Sequence, residues 1–378
     1  MLGSFRIGRI AGIDVKLHVT FALVLALGAA QWGGPHGTRG AVFGALLVSL
    51  LFACVVLHEL GHALMARRFG ITTRDITLLP IGGVAQLSRT PKEPRQEILI
   101  AAAGPAVSLG LAVLFFGATA LAMSAHGITT GEALRAQLTQ PTLPTLLSWL
   151  TGANAVMALF NLLPAFPMDG GRIFRAALSL RLGEARATTL ASGVAQVLAV
   201  GMGIYGLVQG QFMLALIGLT VFLSASRERH DVQARNVLSR LRVEDAYTRH
   251  GVVLAPGDRL SHVVEYLLGS RQQAFPVVLG ERLLGVLTRQ RVLQALAHEG
   301  PDAYVSGLME RDVPRIDASA SLEEAHQRMS ELRMGVLAVH REDTFLGLIG
   351  VAELSEALAV ASAVSQRPGP GDDMRRAT

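Results

Sequence analysis

The sequence has very little cysteine and little charge. Its one cysteine, Cys54, excludes an intrachain disulfide, so nothing in the chain points to an oxidising compartment. Charged residues make up only 17% of the 378 residues, whereas hydrophobic residues make up 51%. Because so apolar a composition excludes an ordinary soluble protein, the long uncharged runs are expected to lie in a membrane.

The apolar runs predict an α-helical polytopic membrane protein. A helix needs roughly 20 apolar residues to cross the hydrocarbon core of a bilayer. About six segments approach this length: 16–32, 41–66, 97–124, 144–164, 187–205 and 209–226. Arg and Lys concentrate before the first segment and after the second, fourth and sixth, while the opposite loops hold only Arg39 and Arg135. The positive-inside rule therefore predicts cytoplasmic N- and C-termini, and it accounts for the net charge of +5 without nucleic acid as a partner.

Residues 71–89 interrupt the helical pattern. The segment is β-branched at its start and is broken by Pro80, Gly82 and Gly83. These features favour a re-entrant β-hairpin, although an ordinary cytoplasmic loop fits the local sequence equally well.

The strongest chemical signal is the motif HELGH at the end of the second segment. His58 and His62 stand four residues apart, so on a helix both imidazoles share a face and can bind one Zn²⁺. Glu59 between them can act as general base on the attacking water. A chance occurrence of so short a motif is the alternative, but buried polar side chains in an apolar helix need a partner, and a dication supplies one.

A third zinc ligand must come from elsewhere, because catalytic zinc usually takes three protein ligands. The best candidate is Asp169 in the segment NLLPAFPMDGG, where proline and glycine interrupt the end of the fourth apolar run. Broken helical backbone at that depth is tolerated only where it lines a cavity or is buried in protein. The alternative is a turn or helix-capping Asp.

Together these motifs resemble the site-2 protease family of intramembrane zinc metalloproteases (peptidase family M50). The resemblance covers residues 5–226 and includes GPAVS, from Gly104 to Ser108, between the two ligand motifs. It implies zinc bound by His58, His62 and Asp169, with Glu59 activating the water and Asn161 positioning the substrate or stabilising the oxyanion.

The same resemblance has implications for partners. It implies that the hairpin after the second helix pairs with an unwound segment of substrate, and that the substrate is a single-pass membrane protein cut in regulated intramembrane proteolysis. His18 resembles a histidine often found at the start of the first helix in this family. It is either a neighbour of the site or an interfacial histidine.

The C-terminal part of the chain contains an internal repeat. Residues 254–268 correspond to 316–330, residues 274–278 to 335–339, and residues 285–296 to 347–358. Each copy has the pattern of a helix, two short strands and a helix, which resembles a tandem pair of CBS (cystathionine-β-synthase) domains. That resemblance implies homodimerisation and an adenine nucleotide as ligand. Arg291 and Glu353 replace the ribose-binding Asp of the family, so a packing domain without ligand is an equal alternative.

The expected organisation is a transmembrane zinc metalloprotease domain at 1–229, the CBS pair at 230–362 (copies at about 240–300 and 301–362) and a disordered tail at 363–378. The expected activity is that of a metalloendopeptidase in the cell membrane, regulated by the cytosolic CBS pair. A CBS-gated transporter or channel is the alternative from another class, but it has no use for HExxH and a distant Asp. A degenerate, non-catalytic scaffold is disfavoured because every catalytic residue type is present.

Overall fold

The computed structural model describes residues 3–79, 82–89, 91, 93–125, 138–249, 251–332 and 334–365. The predictions for Arg135 and for positions 366–378 of the tail lie outside these residues. The chain forms two compact units that divide between His230 and Asp231.

A four-stranded sheet opens the first unit. Strands β1 (Ser4–Ile10) and β2 (Ile13–His18) are antiparallel, β2 pairs in parallel with β3 (Thr73–Leu79), and β3 pairs antiparallel with β4 (Gly82–Leu87). Strand β4 lies at one edge of the sheet. The apolar face packs on the helix that carries HELGH, in a core of Ile13, Val15, Ile76, Leu78, Val56, Leu60 and Ala63.

The two N-terminal strands correct the predicted start of the first apolar segment. That segment was expected from residue 16, but residues up to His18 pair in the sheet and the helix begins at Phe21. Alternating burial in β2, with Ile13 and Val15 buried, fits a strand with one covered face. The structure thus assigns the beginning of the segment to the sheet.

Helix α1 (Phe21–Arg68) is bent into two antiparallel arms. Its backbone leaves the helical region at Gly37, with φ 59° and ψ −148°. The rings of Phe21 and Phe52 are 4.7 Å apart, although a straight helix would separate these residues by about 46 Å. The rings of Trp32 and Phe43, nearer the bend, are 4.5 Å apart. The arms therefore fold back on each other and correspond to the first two apolar segments.

The described part of the first unit has five more helices: α2 (Pro94–Ala125), α3 (Leu143–Asn161), α4 (Asp169–Leu182), α5 (Glu184–Val208) and α6 (Phe212–Leu238). The last residues of α6, from Asp231 on, belong to the second unit. Of the described helices, α1, α2, α3 and α5 are long and apolar enough to cross a membrane. Helix α6 is apolar only in its first half. Length and composition thus single out four helices where six crossings were predicted.

Many large apolar side chains on these helices point outward. The exposed fractions are 66% for Phe116, 75% for Leu121, 73% for Val197 and 76% for Val208. Apolar surface of this extent is expected where lipid, and not water, covers a protein. Together with the helices of spanning length, it identifies the first unit as a multi-pass membrane domain.

The second unit is α/β and has the repeat that the sequence predicts. The first copy contains α7 (Val243–Ala246), α8 (Leu260–Gly269), β5 (Ala274–Leu279), β6 (Arg282–Thr288) and α9 (Arg289–His298). The second contains α10 (Val305–Leu308), β7 (Arg315–Asp317), α11 (Leu322–Leu332), β8 (Val336–Arg341), β9 (Thr344–Gly350) and α12 (Val351–Ser365). The unit has two apolar cores, and the short helices are exchanged between the copies: α7 packs in the core around Leu337, and α10 packs in the core around Phe275.

Candidate metal centre

Three side chains from distant parts of the chain meet in the first unit. His58 and His62 lie near the end of α1, and Asp169 is the first residue of α4. The two Nε2 atoms are 3.2 Å apart, and Asp169 Oδ2 lies 3.3 Å from Nε2 of His58 and 3.2 Å from Nε2 of His62. The three side chains are only 5%, 9% and 12% exposed. They form the one metal-binding group of three found among the described residues.

The triangle of donor atoms fits a zinc ion. A tetrahedral ion with bonds of about 2.1 Å keeps its ligand atoms roughly 3.4 Å apart, close to the separations between these atoms. Two imidazole nitrogens and one carboxylate oxygen are also a donor set that catalytic zinc uses. The fit therefore rests on both the chemistry and the spacing of the donors.

Helix α2 orients both imidazoles from behind. Nδ1 of His62 lies 2.7 Å from the carbonyl oxygen of Ile100, and Nδ1 of His58 lies 2.9 Å from Oγ of Ser108. Because a carbonyl can only accept, His62 must donate from Nδ1, so Nε2 is the nitrogen that faces Asp169 and that binds a metal once it has lost its own proton. The serine hydroxyl can accept from His58 in the same way.

The Asp169 carboxylate is ionised. Burial by itself would raise its pKa, but hydrogen bonds with His58 and His62 outweigh burial and lower the pKa to about 2. Its place in the first turn of α4 adds the favourable field of a helix N-terminus. At neutral pH the site therefore presents an anionic ligand.

Gly104 lets α2 approach the donor atoms. A Cβ atom at this position would lie 2.1 Å from Nε2 of His62 and 2.7 Å from Nε2 of His58. Both distances are far below an ordinary contact of about 3.5 Å. The backbone of α2 thus closes one side of the site, and only glycine leaves the donor nitrogens unobstructed.

Strand β4 covers the candidate base. Glu59 is half-buried between the two histidines in sequence. A Cβ atom at Gly83 would lie 2.5 Å from its Cγ atom, so the strand backbone runs directly over the Glu59 side chain. The edge strand of the sheet is therefore next to the metal centre.

The other two predicted residues are placed less directly. Asn161 is the last residue of α3 and is half-buried, and the hydrogen bonds described around the metal centre do not involve it. His18 ends β2, with Nδ1 2.7 Å from Oγ1 of Thr20. The structure thus brings together Glu59 and the three ligand candidates, whereas the roles of Asn161 and His18 stay predictions.

The sequence did not predict what surrounds the ligands. Ser108 lies in the GPAVS motif, but neither its residue type nor its distance in sequence from His58 indicated that the two side chains would be in contact. Ile100 contributes a backbone carbonyl, for which no side-chain signal can exist.

The second unit contains a cavity of about 810 Å³ between its two copies. Thr288 and Arg289 line it from the first copy, and Gly350 and Glu353 from the second. Glu353 is already engaged there: Oε1 accepts from Oγ1 of Thr248 at 2.9 Å, and Oε2 from the backbone N–H of Gly350 at 2.9 Å. The cavity is large enough for a small-molecule ligand.

Comparisons with known proteins agree with both units. Residues 46–203 match peptidase family M50, and residues 243–298 and 305–360 each match the CBS domain. A zinc metalloprotease of Methanocaldococcus jannaschii is 34% identical over 286 residues, which cover 75% of this chain and 78% of that protein. A Synechocystis protein provisionally named a zinc metalloprotease is 28% identical over 96% of this chain and 97% of its own length. Among solved structures, the site-2 protease of Methanocaldococcus jannaschii is 35% identical and covers 60% of this chain and 95% of that chain, with a TM-score of 0.43.

Proposed function

This chain belongs to peptidase family M50, as a zinc metalloprotease of the site-2 protease type with a CBS pair, and on that premise we propose that it cleaves membrane-spanning protein substrates within the bilayer, in regulated intramembrane proteolysis. The observation that carries the proposal is the triangle of buried donor atoms from His58, His62 and Asp169, set among helices of spanning length. These three residues are the proposed zinc ligands.

Zinc, when bound, would polarise the scissile carbonyl and make a water molecule acidic enough to attack it. Glu59 is the proposed general base: its carboxylate takes the proton from the attacking water and later returns it to the leaving amine. The Nε2 atoms of His58 and His62, which flank Glu59 in the same helix, lie together at the metal centre. Asn161, at the end of α3, is proposed to position the substrate or to stabilise the oxyanion.

Strand β4 is the proposed docking edge for the substrate. Among the strands that the structure describes, it has a neighbour in the sheet only on the side of β3, and its Gly83 lies over Glu59. An extended peptide that adds to this edge would use main-chain hydrogen bonds for affinity and would bring its backbone next to the base. The same proposal places the β3–β4 hairpin within the membrane as a re-entrant segment, because the peptide bond to be cleaved lies there.

The proposed topology has six crossings with both termini in the cytoplasm. The two arms of α1 support the first two crossings, and the apolar first half of α6 supports the sixth. The protease domain is proposed at 1–229 and the CBS pair at 230–362. Basic residues at the cytoplasmic ends agree with this orientation.

The CBS pair is the proposed regulator, with an adenine nucleotide as its ligand. The cavity of about 810 Å³ between the copies supports a ligand over a purely structural role. Binding of ATP, ADP or AMP to the full-length protein by calorimetry tests this point, and a chain that binds none of them has the structural role alone. Dimerisation through this pair is proposed from the family resemblance.

The test of the function is Glu59→Gln in the full-length protein, co-expressed with single-pass membrane proteins. The amide cannot accept the proton, so cleavage should be lost while zinc content by mass spectrometry stays at the parent level. Glu93→Gln changes an exposed carboxylate in the same unit and should leave both unchanged.

Two outcomes would contradict the proposal. Persistent cleavage by the Glu59→Gln protein would remove Glu59 as the base. Absence of both zinc and cleavage in the parent protein would favour the CBS-gated transporter or channel.

A further inference from the structure

A buried group of ion pairs lies partly on helices that also contribute to the metal centre. The guanidinium of Arg175, in α4, donates to carboxylate oxygens of Glu97 in α2 and Glu228 in α6. The side chains of Arg175 and Glu97 are only 7% and 11% exposed, and that of Glu228 is 30% exposed. Burying ion pairs this deeply costs desolvation energy, so stability alone is a poor explanation for their presence. Their position in the fold suggests another role.

The Glu97–Arg175 pair connects α2, which contacts the two histidines, with α4, which begins with Asp169. Glu97 lies one turn before Ile100, the residue whose carbonyl holds His62. Arg175 lies in the same short helix as Asp169. The pair therefore joins the helix that orients the histidines to the helix that carries the carboxylate.

Arg175 also touches the segment that leads to Asp169. Its guanidinium carbon lies 5.7 Å from the centre of the Phe166 ring, three residues before Asp169. Phe166 is buried with Ala165 and Met168 in one apolar cluster. Asp169 is thus held on both sides: by Phe166 before it and by the Arg175–Glu97 pair after it.

We propose that Arg175 is a positioning residue of the metal centre: its bond to Glu97 keeps the Asp169 carboxylate next to His58 and His62. This role rests on the proposed function, since it presupposes zinc at these three ligands. Arginine suits the task because its planar fork can bond two carboxylates at once in fixed directions. The bond to Glu228 holds α6 and does not reach the helix that orients the histidines.

The difference between the two carboxylates provides the test. Glu97→Gln and Glu228→Gln each remove one negative partner of the same guanidinium, but only Glu97 lies in α2. Zinc affinity would be measured in the full-length protein by chelator competition. The geometry of the site would be followed by the visible absorption spectrum of the cobalt-substituted protein, and folding by thermal unfolding in detergent.

Glu97→Gln is expected to weaken zinc binding roughly 10–100-fold, the usual effect of disturbing groups that orient metal ligands, and to change the cobalt spectrum. Glu228→Gln should leave both at parent values. Arg175→Lys keeps the charge but loses the fork, so it should resemble Glu97→Gln, while Arg181→Lys, an exposed change in the same helix, should have no effect.

Equal effects of Glu97→Gln and Glu228→Gln on zinc affinity would overturn the proposal, because they would reflect general stability. Parent-like affinity and an unchanged cobalt spectrum in Glu97→Gln would overturn it as well. A parent protein that fails to bind zinc would instead contradict the proposed function, so the two failures can be told apart.

Discussion

Replacement of Gly104 by alanine tests the geometry of the metal centre most directly. The new Cβ atom would lie 2.1 Å from Nε2 and 2.5 Å from Cε1 of His62, and 2.7 Å from Nε2 of His58. An ordinary contact needs about 3.5 Å, so the imidazoles or α2 must move by roughly 1.4 Å. Metal sites tolerate deviations of only about 0.2 Å in ligand distance. Gly104→Ala is therefore expected to damage zinc binding specifically.

The magnitude follows from the cost of overpacking. Forcing an extra methyl group into a packed site costs about 1–3 kcal/mol. Without metal the imidazoles can turn away from the new methyl group, whereas the zinc-bound state needs them in place. The steric strain therefore weakens zinc binding. A penalty of this size corresponds to a roughly 5–150-fold loss of zinc affinity. Chelator competition with mass-spectrometric zinc analysis would measure it.

Gly110→Ala is the matched control, because it lies on the same helix and a Cβ atom there meets nothing within 4 Å. It should bind zinc like the parent protein. If Gly104→Ala also bound zinc with parent affinity, then α2 could not lie as close to the donor nitrogens as the structure has it, and the reasoning would be refuted.

Two further substitutions separate metal binding from catalysis. Ser108→Ala removes the hydroxyl 2.9 Å from Nδ1 of His58 and should weaken zinc binding roughly 10–100-fold in the same competition assay; unchanged affinity would mean that this hydrogen bond does not orient the ligand. Gly83→Ala would place a Cβ atom 2.5 Å from Cγ of Glu59, so kcat on a membrane substrate should fall while zinc content stays constant. Loss of zinc in Gly83→Ala would contradict the separation of base and metal.

The features that could be predicted from the sequence are those with a local or periodic signal. HELGH carries its own spacing, and the helices carry their length and apolar composition. The repeat in the second unit could be seen because its copies share one pattern. Asp169 was found by a different signal, the proline and glycine that break an apolar run, together with the resemblance to a known family.

The features that could not be predicted depend on contacts between distant parts of the chain. Strand β2 pairs on one side with β1 just before it, but its other partner, β3, lies about 60 residues later, and its own six residues are too short to distinguish from the apolar run that follows. The Arg175–Glu97 pair joins positions 78 residues apart. Neither position is unusual in its own helix, so only the packing of α4 on α2 makes the pair visible.

Helix α2 contains none of the proposed zinc ligands, yet it determines where they lie. It supplies a carbonyl to His62, a hydroxyl to His58, a glycine that admits the donor nitrogens, and a carboxylate for the arginine behind Asp169. The contribution of Ile100 comes from its backbone, so no substitution of that side chain removes the acceptor. For this reason the spacing of α2 from α1 matters more than the identity of most residues on it. A change that separates the two helices should therefore weaken zinc binding even where all three ligands are intact.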